Sequence, residues 1–336
     1  VWATENWNYP RRVSVWDRDG TLIRDYVGNT GYAGTGCYLH DQDPTLGYVG
    51  PIEVKLDHKT RSWKVTRILW MPDRQRGECF EVPAQSHVQP QRFRSDASGR
   101  MREYLYAHDA RDGGGHVIYV ELDSGRWQPV AAICLVHHIS GRVNRQGNID
   151  EPPSGQFTDL SPYDGVFWHD DNGDAVPQRS ECEIAPVEQP AARRQRPQPG
   201  LPLNNGWGGR IDPDTFRIYV DGITVYQPSG FDANGGPVYR KSDMKTLPID
   251  DRGDLVPVPG EDRLICLSWK GYAGPTRLTG IDTDRETVLW EYPNPYPGVH
   301  GSHRAPMPEP GLLIGPLKTM GVVQVGDEAA RQVGWD

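Results

Sequence analysis

The sequence repeats one local pattern, in which a short strand-like run leads through an aspartate-initiated turn into a second strand-like run. β-Branched and aromatic residues favour extended backbone, and an Asp side chain that accepts backbone N–H groups begins a turn. Each such segment therefore predicts a β-hairpin. The pattern occurs at residues 12–28, 52–70, 116–133, 209–227 and 279–294, with turn aspartates Asp17, Asp57, Asp123, Asp212 and Asp282.

The spacing of these hairpins predicts the architecture. Successive turn aspartates are separated by 40 residues (Asp17 to Asp57) up to 89 residues (Asp123 to Asp212), which fits four-stranded propeller blades of about 40 to 50 residues with long inserted loops. No long segment has the apolar period of about 3.6 residues that marks an amphipathic helix. We predict one all-β domain over residues 1–336, a β-propeller of about six or seven blades that this chain could leave incomplete. A two-sheet β-sandwich is the alternative.

Composition and net charge limit the classes of partner that the protein is expected to bind. The 38 Gly, 30 Pro, 11 Trp and 15 Tyr residues are typical of many turns between aromatic-bearing strands. A net charge of −9 argues against binding of nucleic acid, which needs a basic face. The sequence contains no run of about 18 apolar residues, so membrane insertion is not predicted. The five cysteines form no CxxC motif, so neither a zinc knuckle nor a thioredoxin-type site is predicted.

Function on a rigid β scaffold usually lies in its long loops. Three long loops stand out, at residues 71–101, 165–206 and 292–311. The tail of the second, residues 185–206, is rich in Pro, Arg and Gln and is predicted to be an exposed surface loop.

The start of the second loop has the oxygen-donor spacing of a calcium site. Calcium takes about six to eight oxygen ligands, and a loop of about 12 residues supplies them from positions 1, 3, 5, 7, 9 and 12. Position 6, normally Gly, is here Ala175, and Gly173 stands at position 4. We predict a structural Ca²⁺ ion; the alternative is an acidic loop without metal. The predicted ligands are Asp170, Asn172, Asp174, the carbonyl of Val176, Gln178 and Glu181.

Three histidines are the candidates for catalysis. His300 and His303 lie three positions apart in a Gly/Pro-rich loop, and His137 is followed by a second histidine. Two imidazoles need a third ligand to hold zinc or iron, and none is close in sequence. The alternative is that these imidazoles satisfy buried backbone groups. The GxSxG and HExxH motifs of common hydrolases do not occur, nor does the set of protein-kinase motifs.

Three segments together resemble secreted NHL- or WD40-like β-propeller proteins of planctomycete-type bacteria: residues 5–28, residues 167–181 with the sequence FWHDDNGDAVPQRSE, and residues 296–318 with the sequence YPGVHGSHRAPMPEPGLLIGPLK. The resemblance implies an extracytoplasmic location, bound calcium and a chain that forms part of a longer polypeptide. It implies no particular reaction, because fold analogy does not supply chemistry.

Two functions remain open at this point. The first is a calcium-stabilised scaffold that binds a protein, a surface layer or a polysaccharide through aromatic-rich loops. The second is a carbohydrate-active enzyme, a lyase or hydrolase, with its site in the propeller funnel near His300 and His303. We predict the scaffold, because the sequence contains no recognisable set of catalytic residues.

Overall fold

The structure, a computed structural model, describes residues 2–4, 11–28, 37–40, 42–49, 52–68, 91–108, 115–123, 125–143, 148–187, 201–203, 210–220, 224–247, 253–258, 260–269 and 276–293. Within these ranges the chain is all-β and contains no α-helix. The described residues also include three short 3₁₀ helices, at Val136–His138, Gly155–Phe157 and Arg179–Glu181. No helix in the described ranges is long and apolar enough to cross a membrane.

The strands form antiparallel sheets in which neighbours in space are mostly neighbours in the chain. The first sheet has three strands, β1 (Trp2–Thr4), β2 (Arg11–Trp16) and β3 (Leu22–Gly28). The second has four, β4 (Cys37–Leu39), β5 (Leu46–Val49), β6 (Ile52–Asp57) and β7 (Ser62–Ile68).

The third sheet is the largest. Its order is β15-β14-β11-β10-β9-β8. The strands are β8 (Gln91–Ser95), β9 (Arg102–His108), β10 (His116–Glu121), β11 (Trp127–Leu135), β14 (Gly165–His169) and β15 (Cys182–Ala185). A separate ribbon pairs β12 (Arg142–Val143) with β13 (Ile149–Glu151).

Two further four-stranded meanders complete the described fold. One comprises β16 (Arg210–Ile211), β17 (Ile218–Val220), β18 (Thr224–Phe231) and β19 (Pro237–Thr246). The other comprises β20 (Gly253–Pro257), β21 (Arg263–Trp269), β22 (Thr276–Asp282) and β23 (Thr287–Pro293).

The predicted hairpins are confirmed. Their turn aspartates lie at the β2–β3, β6–β7, β10–β11, β16–β17 and β22–β23 connections. Asp57 shows the local cause, since its Oδ1 accepts the N–H groups of Lys59 (2.9 Å) and Thr60 (3.1 Å). Two further turns of the same kind, which were not predicted from the sequence, begin near Asp96 and Asp232.

The main core lies between the six-stranded sheet and the β16–β19 sheet. Phe93 and Tyr104 from the first meet Phe216 from the second, with ring centroids 5.3 Å and 4.8 Å from it. A second cluster on the other face of the six-stranded sheet contains Trp127 and Trp168. Burial of such aromatic area is the main stabilising contribution.

The all-β prediction is confirmed at the level of class. The described residues form several small sheets, none of which closes on itself, and this arrangement fits a sandwich-like packing as well as a propeller. Of the loop predicted to be exposed, residues 185–206, only 185–187 and 201–203 are described. Pro186 is exposed as predicted, whereas Ala185, Leu201 and Leu203 pack into the main core because their side chains are apolar. Cys134 on β11 and Cys266 on β21 are buried.

Candidate functional site

The predicted calcium loop connects two paired strands. β14 ends at His169 and β15 begins at Cys182, so residues 170–181 form the connection between them. β11 runs beside β14 and places Gln128 next to the start of the loop. The loop therefore begins and ends on a rigid six-stranded sheet.

Asp170, the first predicted ligand, organises the loop around its own carboxylate. It is fully buried, at 0 % exposure. Its Oδ1 accepts the N–H of Gly173 (2.9 Å), and its Oδ2 accepts the N–H of Ala175 (3.1 Å) and the side-chain amide of Gln128 (3.2 Å). These bonds draw the loop into a turn whose backbone is left-handed at Gly173 (φ 82°) and at Ala175 (φ 62°).

The middle of the loop brings Asn172, Asp174 and Gln178 together. Asp174 Oδ2 accepts the amide N–H groups of Asn172 (3.2 Å) and Gln178 (2.8 Å), and Gln178 Oε1 accepts a second bond from Asn172 (2.9 Å). The side-chain amide nitrogens of Asn172 and Gln178 therefore point at the oxygens that a cation would need. A half-turn of either terminal amide exchanges its nitrogen for its oxygen, so the same side chains can present oxygen donors to a cation.

Glu181, the last predicted ligand, has one carboxylate oxygen without a partner. The residue is only 5 % exposed. Its Oε2 accepts the indole N–H of Trp168 (3.1 Å) and the backbone N–H of Gln178 (3.2 Å), whereas its Oε1 is buried with no hydrogen-bond partner in the described structure. A buried carboxylate oxygen left unpaired costs stability, and a bound cation removes that cost.

The structure brings all five side-chain candidates into one hydrogen-bonded loop. The Val176 side chain points to solvent and is exposed, which is compatible with a ligand role for its carbonyl alone. Within the described ranges no three His, Cys, Asp or Glu side chains already converge as a metal centre. Nor do Asp170, Asp174 and Glu181 form an ion pair with any described Lys, Arg or His. The donor set thus fits a hard divalent cation that takes oxygen ligands.

Asn234 contacts the back of this loop and was missed by sequence reasoning. Its Nδ2 donates to the backbone carbonyl of Asp170 (2.7 Å). Asn234 lies in the β18–β19 turn, residues 232–236, on the neighbouring sheet. The sequence Asp-Ala-Asn-Gly could have indicated the turn, but nothing local could have indicated what the turn touches.

The histidine candidates fall into two groups. His137 Nδ1 donates to the carbonyl of Pro162 (3.0 Å), and His138 Nδ1 accepts the N–H of Leu135 (3.1 Å). Burial lowers the pKa of His137, with the Pro162 bond opposing, and burial lowers the pKa of His138 to about 3. Both rings are therefore neutral near pH 7 and brace the connection between β11 and β14. His300 and His303 lie outside the described residues.

A second histidine pair, not singled out from the sequence, is buried across β9 and β10. His108 and His116 are directly opposite each other, with parallel rings whose centroids are 4.9 Å apart. Tyr106 OH is hydrogen-bonded to His116 Nδ1 (2.8 Å). Burial lowers the pKa of His108 to about 3 and that of His116 well below its ordinary value. This pair is a neutral part of the core.

The β20–β23 sheet presents an aromatic surface to solvent. The Trp290 ring lies across Gly280, because a methyl group at Gly280 would collide with the indole ring of Trp290. The Tyr292 ring centroid is 5.2 Å from that of Trp290. Trp290 is 37 % exposed and Tyr292 is 66 % exposed. We call Trp290, Tyr292 and Gly280 the aromatic platform.

Comparisons with known proteins show no family. No protein-family model matches the chain, and no curated protein sequence is similar to it. Among solved structures, a protein from Lactobacillus plantarum is similar with a TM-score of 0.33 and 11% sequence identity, covering 86% of this chain and 80% of that one. A likeness at this level carries no functional argument. The resemblance to secreted propeller proteins therefore remains a hypothesis.

Proposed function

We propose that the protein is an extracytoplasmic β-propeller scaffold that is stabilised by calcium and binds a polysaccharide through its aromatic platform. The observation that carries the calcium part is the unpaired Glu181 Oε1, buried at the end of a loop that holds three further carboxylates, those of Asp170, Asp171 and Asp174. Asp170 and Glu181 are buried in this loop without an ion pair to any described cationic side chain, and a bound cation offsets such uncompensated charge.

Calcium would be held by the loop's own oxygens. Asp170, Asp174 and Glu181 supply carboxylates, Asn172 and Gln178 supply amide oxygens, and Val176 supplies its carbonyl. A bound Ca²⁺ supplies charge neutralisation here and no chemistry. Because this set fills the coordination shell with protein oxygens, the role is structural.

The propeller and the location are supported indirectly. The β4–β7, β16–β19 and β20–β23 sheets are each four-stranded meanders in chain order, which is the composition of a propeller blade. Extracytoplasmic modules bind calcium with affinities near its millimolar concentration outside the cell. The sequence resemblance described above favours the same location.

The aromatic platform supports a polysaccharide partner. Aromatic rings stack on the apolar faces of sugar rings, and neighbouring exposed apolar side chains are typical of binding surfaces. The Trp290 ring packs against Gly280, which restricts its movement, and its plane is inclined by 50° to that of the Tyr292 ring.

The calcium part is tested by thermal unfolding and isothermal titration calorimetry. We expect millimolar calcium to raise the melting temperature of the chelator-treated protein by about 5 °C. Asp174→Asn should abolish most of this rise. Asp171→Asn is the matched control, because it removes one charge from the same loop at a position that is not a ligand. An unchanged melting temperature in the wild type, or equal losses in both variants, would contradict a calcium site.

The polysaccharide part is tested by affinity electrophoresis in gels that contain xylan, chitosan or carboxymethyl cellulose. We expect at least one polymer to retard the protein and Trp290→Ala to remove the retardation. Trp63→Ala is the control, because Trp63 is an exposed tryptophan of another sheet. If no polymer retards the protein, or if both variants behave alike, the platform does not bind polysaccharide and a protein partner becomes the favoured class.

A further inference from the structure

The β18–β19 turn fits against the rear of the calcium loop. Asn234 donates to the carbonyl of Asp170, and its side chain touches Gly173, where an added methyl group would lie 3.4 Å from Asn234 Oδ1. Asn234 is itself fixed, because Asp232 Oδ1 accepts the N–H groups of Asn234 (2.8 Å) and Gly236 (2.8 Å). These hydrogen bonds hold the turn in a fixed position against the 170–181 loop.

The same turn is wedged against the six-stranded sheet. Tyr104 OH on β9 donates to the carbonyl of Gly235 (3.0 Å). Gly236 packs so closely on β11 that an added methyl group would lie 2.6 Å from the carbonyl oxygen of Val130. That carbonyl accepts the N–H of Asp170 (3.0 Å). The N–H and the carbonyl of Asp170 are thus both fixed at the junction of the two sheets.

We infer that calcium bound in the 170–181 loop clasps the β16–β19 sheet to the six-stranded sheet, with Asn234 as a positioning residue for the ion. This inference rests on the calcium binding proposed above. The ion fixes the Asp170 carboxylate, and Asn234 fixes the backbone of the same residue from the other sheet. Because coupling between two binding events is reciprocal, docking of the turn strengthens calcium binding and calcium strengthens docking of the turn.

Hydrogen exchange read by mass spectrometry, together with calorimetry on the full chain, tests this coupling. In the wild type, calcium should slow exchange both in residues 165–185 and in residues 224–247. Asn234→Ala should weaken calcium binding about three- to tenfold, the effect of one neutral hydrogen bond. In the Asn234→Ala variant, calcium should slow hydrogen exchange only in residues 165–185.

Tyr104→Phe is the matched control. It removes one hydrogen bond between the same turn and the same sheet, but that bond does not touch the calcium loop. Calcium affinity should stay within about twofold of the wild type, and protection should still extend to both segments.

The outcomes separate the two proposals. Calcium-induced protection of residues 165–185 alone in the wild type would overturn the clasp and leave the calcium site standing. Equal loss of affinity in Asn234→Ala and Tyr104→Phe would also overturn it, since general loosening of the junction would then explain both. The absence of any calcium binding would overturn the site and the clasp together.

Discussion

Arg92 on β8 and Glu53 on β6 form a buried ion pair that joins two different sheets. Arg92 also pairs with Glu103 (2.8 Å), and Arg67 pairs with Glu121 (2.6 Å). Both guanidinium groups lie over the Trp127 ring, 5.8 Å from its centroid. Burial raises the pKa of Glu53, but the Thr66 hydrogen bond and the charges of Arg67 and Arg92 outweigh burial, so the net pKa is lowered.

Arg92→Met should destabilise the protein strongly. The change leaves three glutamates close together with fewer cations, and breaking a buried ion pair by removing one partner costs about 3–5 kcal/mol. Denaturant-induced unfolding measures the loss. Arg94→Met on the same strand is the control: its side chain is 64% exposed, so its pairing with Glu103 should contribute about 1 kcal/mol or less. Equal losses in the two variants would show that the sheet junction does not depend on the buried pair.

The buried His108 makes stability depend on pH in a defined direction. Its pKa falls from 6.5 in the unfolded chain to about 3 in the folded protein. Below pH 6.5 the unfolded state therefore binds a proton that the folded state does not. The free energy of unfolding is highest above that pH and decreases by up to about 1.4 kcal/mol per pH unit as the pH falls towards the folded pKa.

His108→Phe should remove the contribution of one titrating proton from the pH dependence of the free energy of unfolding. The phenyl ring keeps the stacking surface against His116 and removes the titrating group. Free energies of unfolding measured at neutral pH and near pH 5 give the slope for each protein. The idea fails if the variant loses stability on acidification as steeply as the wild type does.

Two substitutions in the 170–181 loop should change stability in opposite directions. Ala175 has φ 62°, a left-handed conformation that costs a residue with a Cβ about 1–2 kcal/mol. Ala175→Gly removes that cost and adds chain entropy to the unfolded state, for a net gain of up to about 1 kcal/mol.

Gly173→Ala introduces the same cost at φ 82°, with the new methyl group in ordinary van der Waals contact with Asn234, and should lose about 1–2 kcal/mol. Thermal unfolding and calcium calorimetry of both variants provide the comparison. Loss of stability in Ala175→Gly would mean that the loop backbone differs from the one described.

Gly280→Ala should disrupt the aromatic platform without removing an aromatic residue. The new methyl group would collide with the Trp290 ring, so the ring must move at a cost of about 1–3 kcal/mol. Retardation by polysaccharide should weaken in parallel. Gly230→Ala is the control, because no atom lies within 4 Å of its added methyl group. A Gly280→Ala variant that matches Gly230→Ala in stability and binding would contradict the described packing of Trp290.

The hairpins could be predicted because their cause is local. Asp17, for example, accepts the N–H groups of Asp19 (2.9 Å) and Thr21 (2.8 Å), all within five positions. The spacing of oxygen donors in the 170–181 loop could also be recognised in the sequence. So could its departure from the usual calcium-loop pattern at Ala175, where glycine is normal. The contacts between sheets were not, because Asn234 and Asp170 are 64 positions apart.

The sequence by itself determined the β class, the turn positions and a loop with the donor pattern of a calcium site. These features depend on side chains that bond to backbone groups a few residues away. Only the tertiary structure decided that Glu181 Oε1 is left without a partner, that Asn234 supports Asp170 from another sheet, and that His137 braces a loop carbonyl. Burial and long-range contacts exist only once the chain has folded, so no local sequence pattern predicts them.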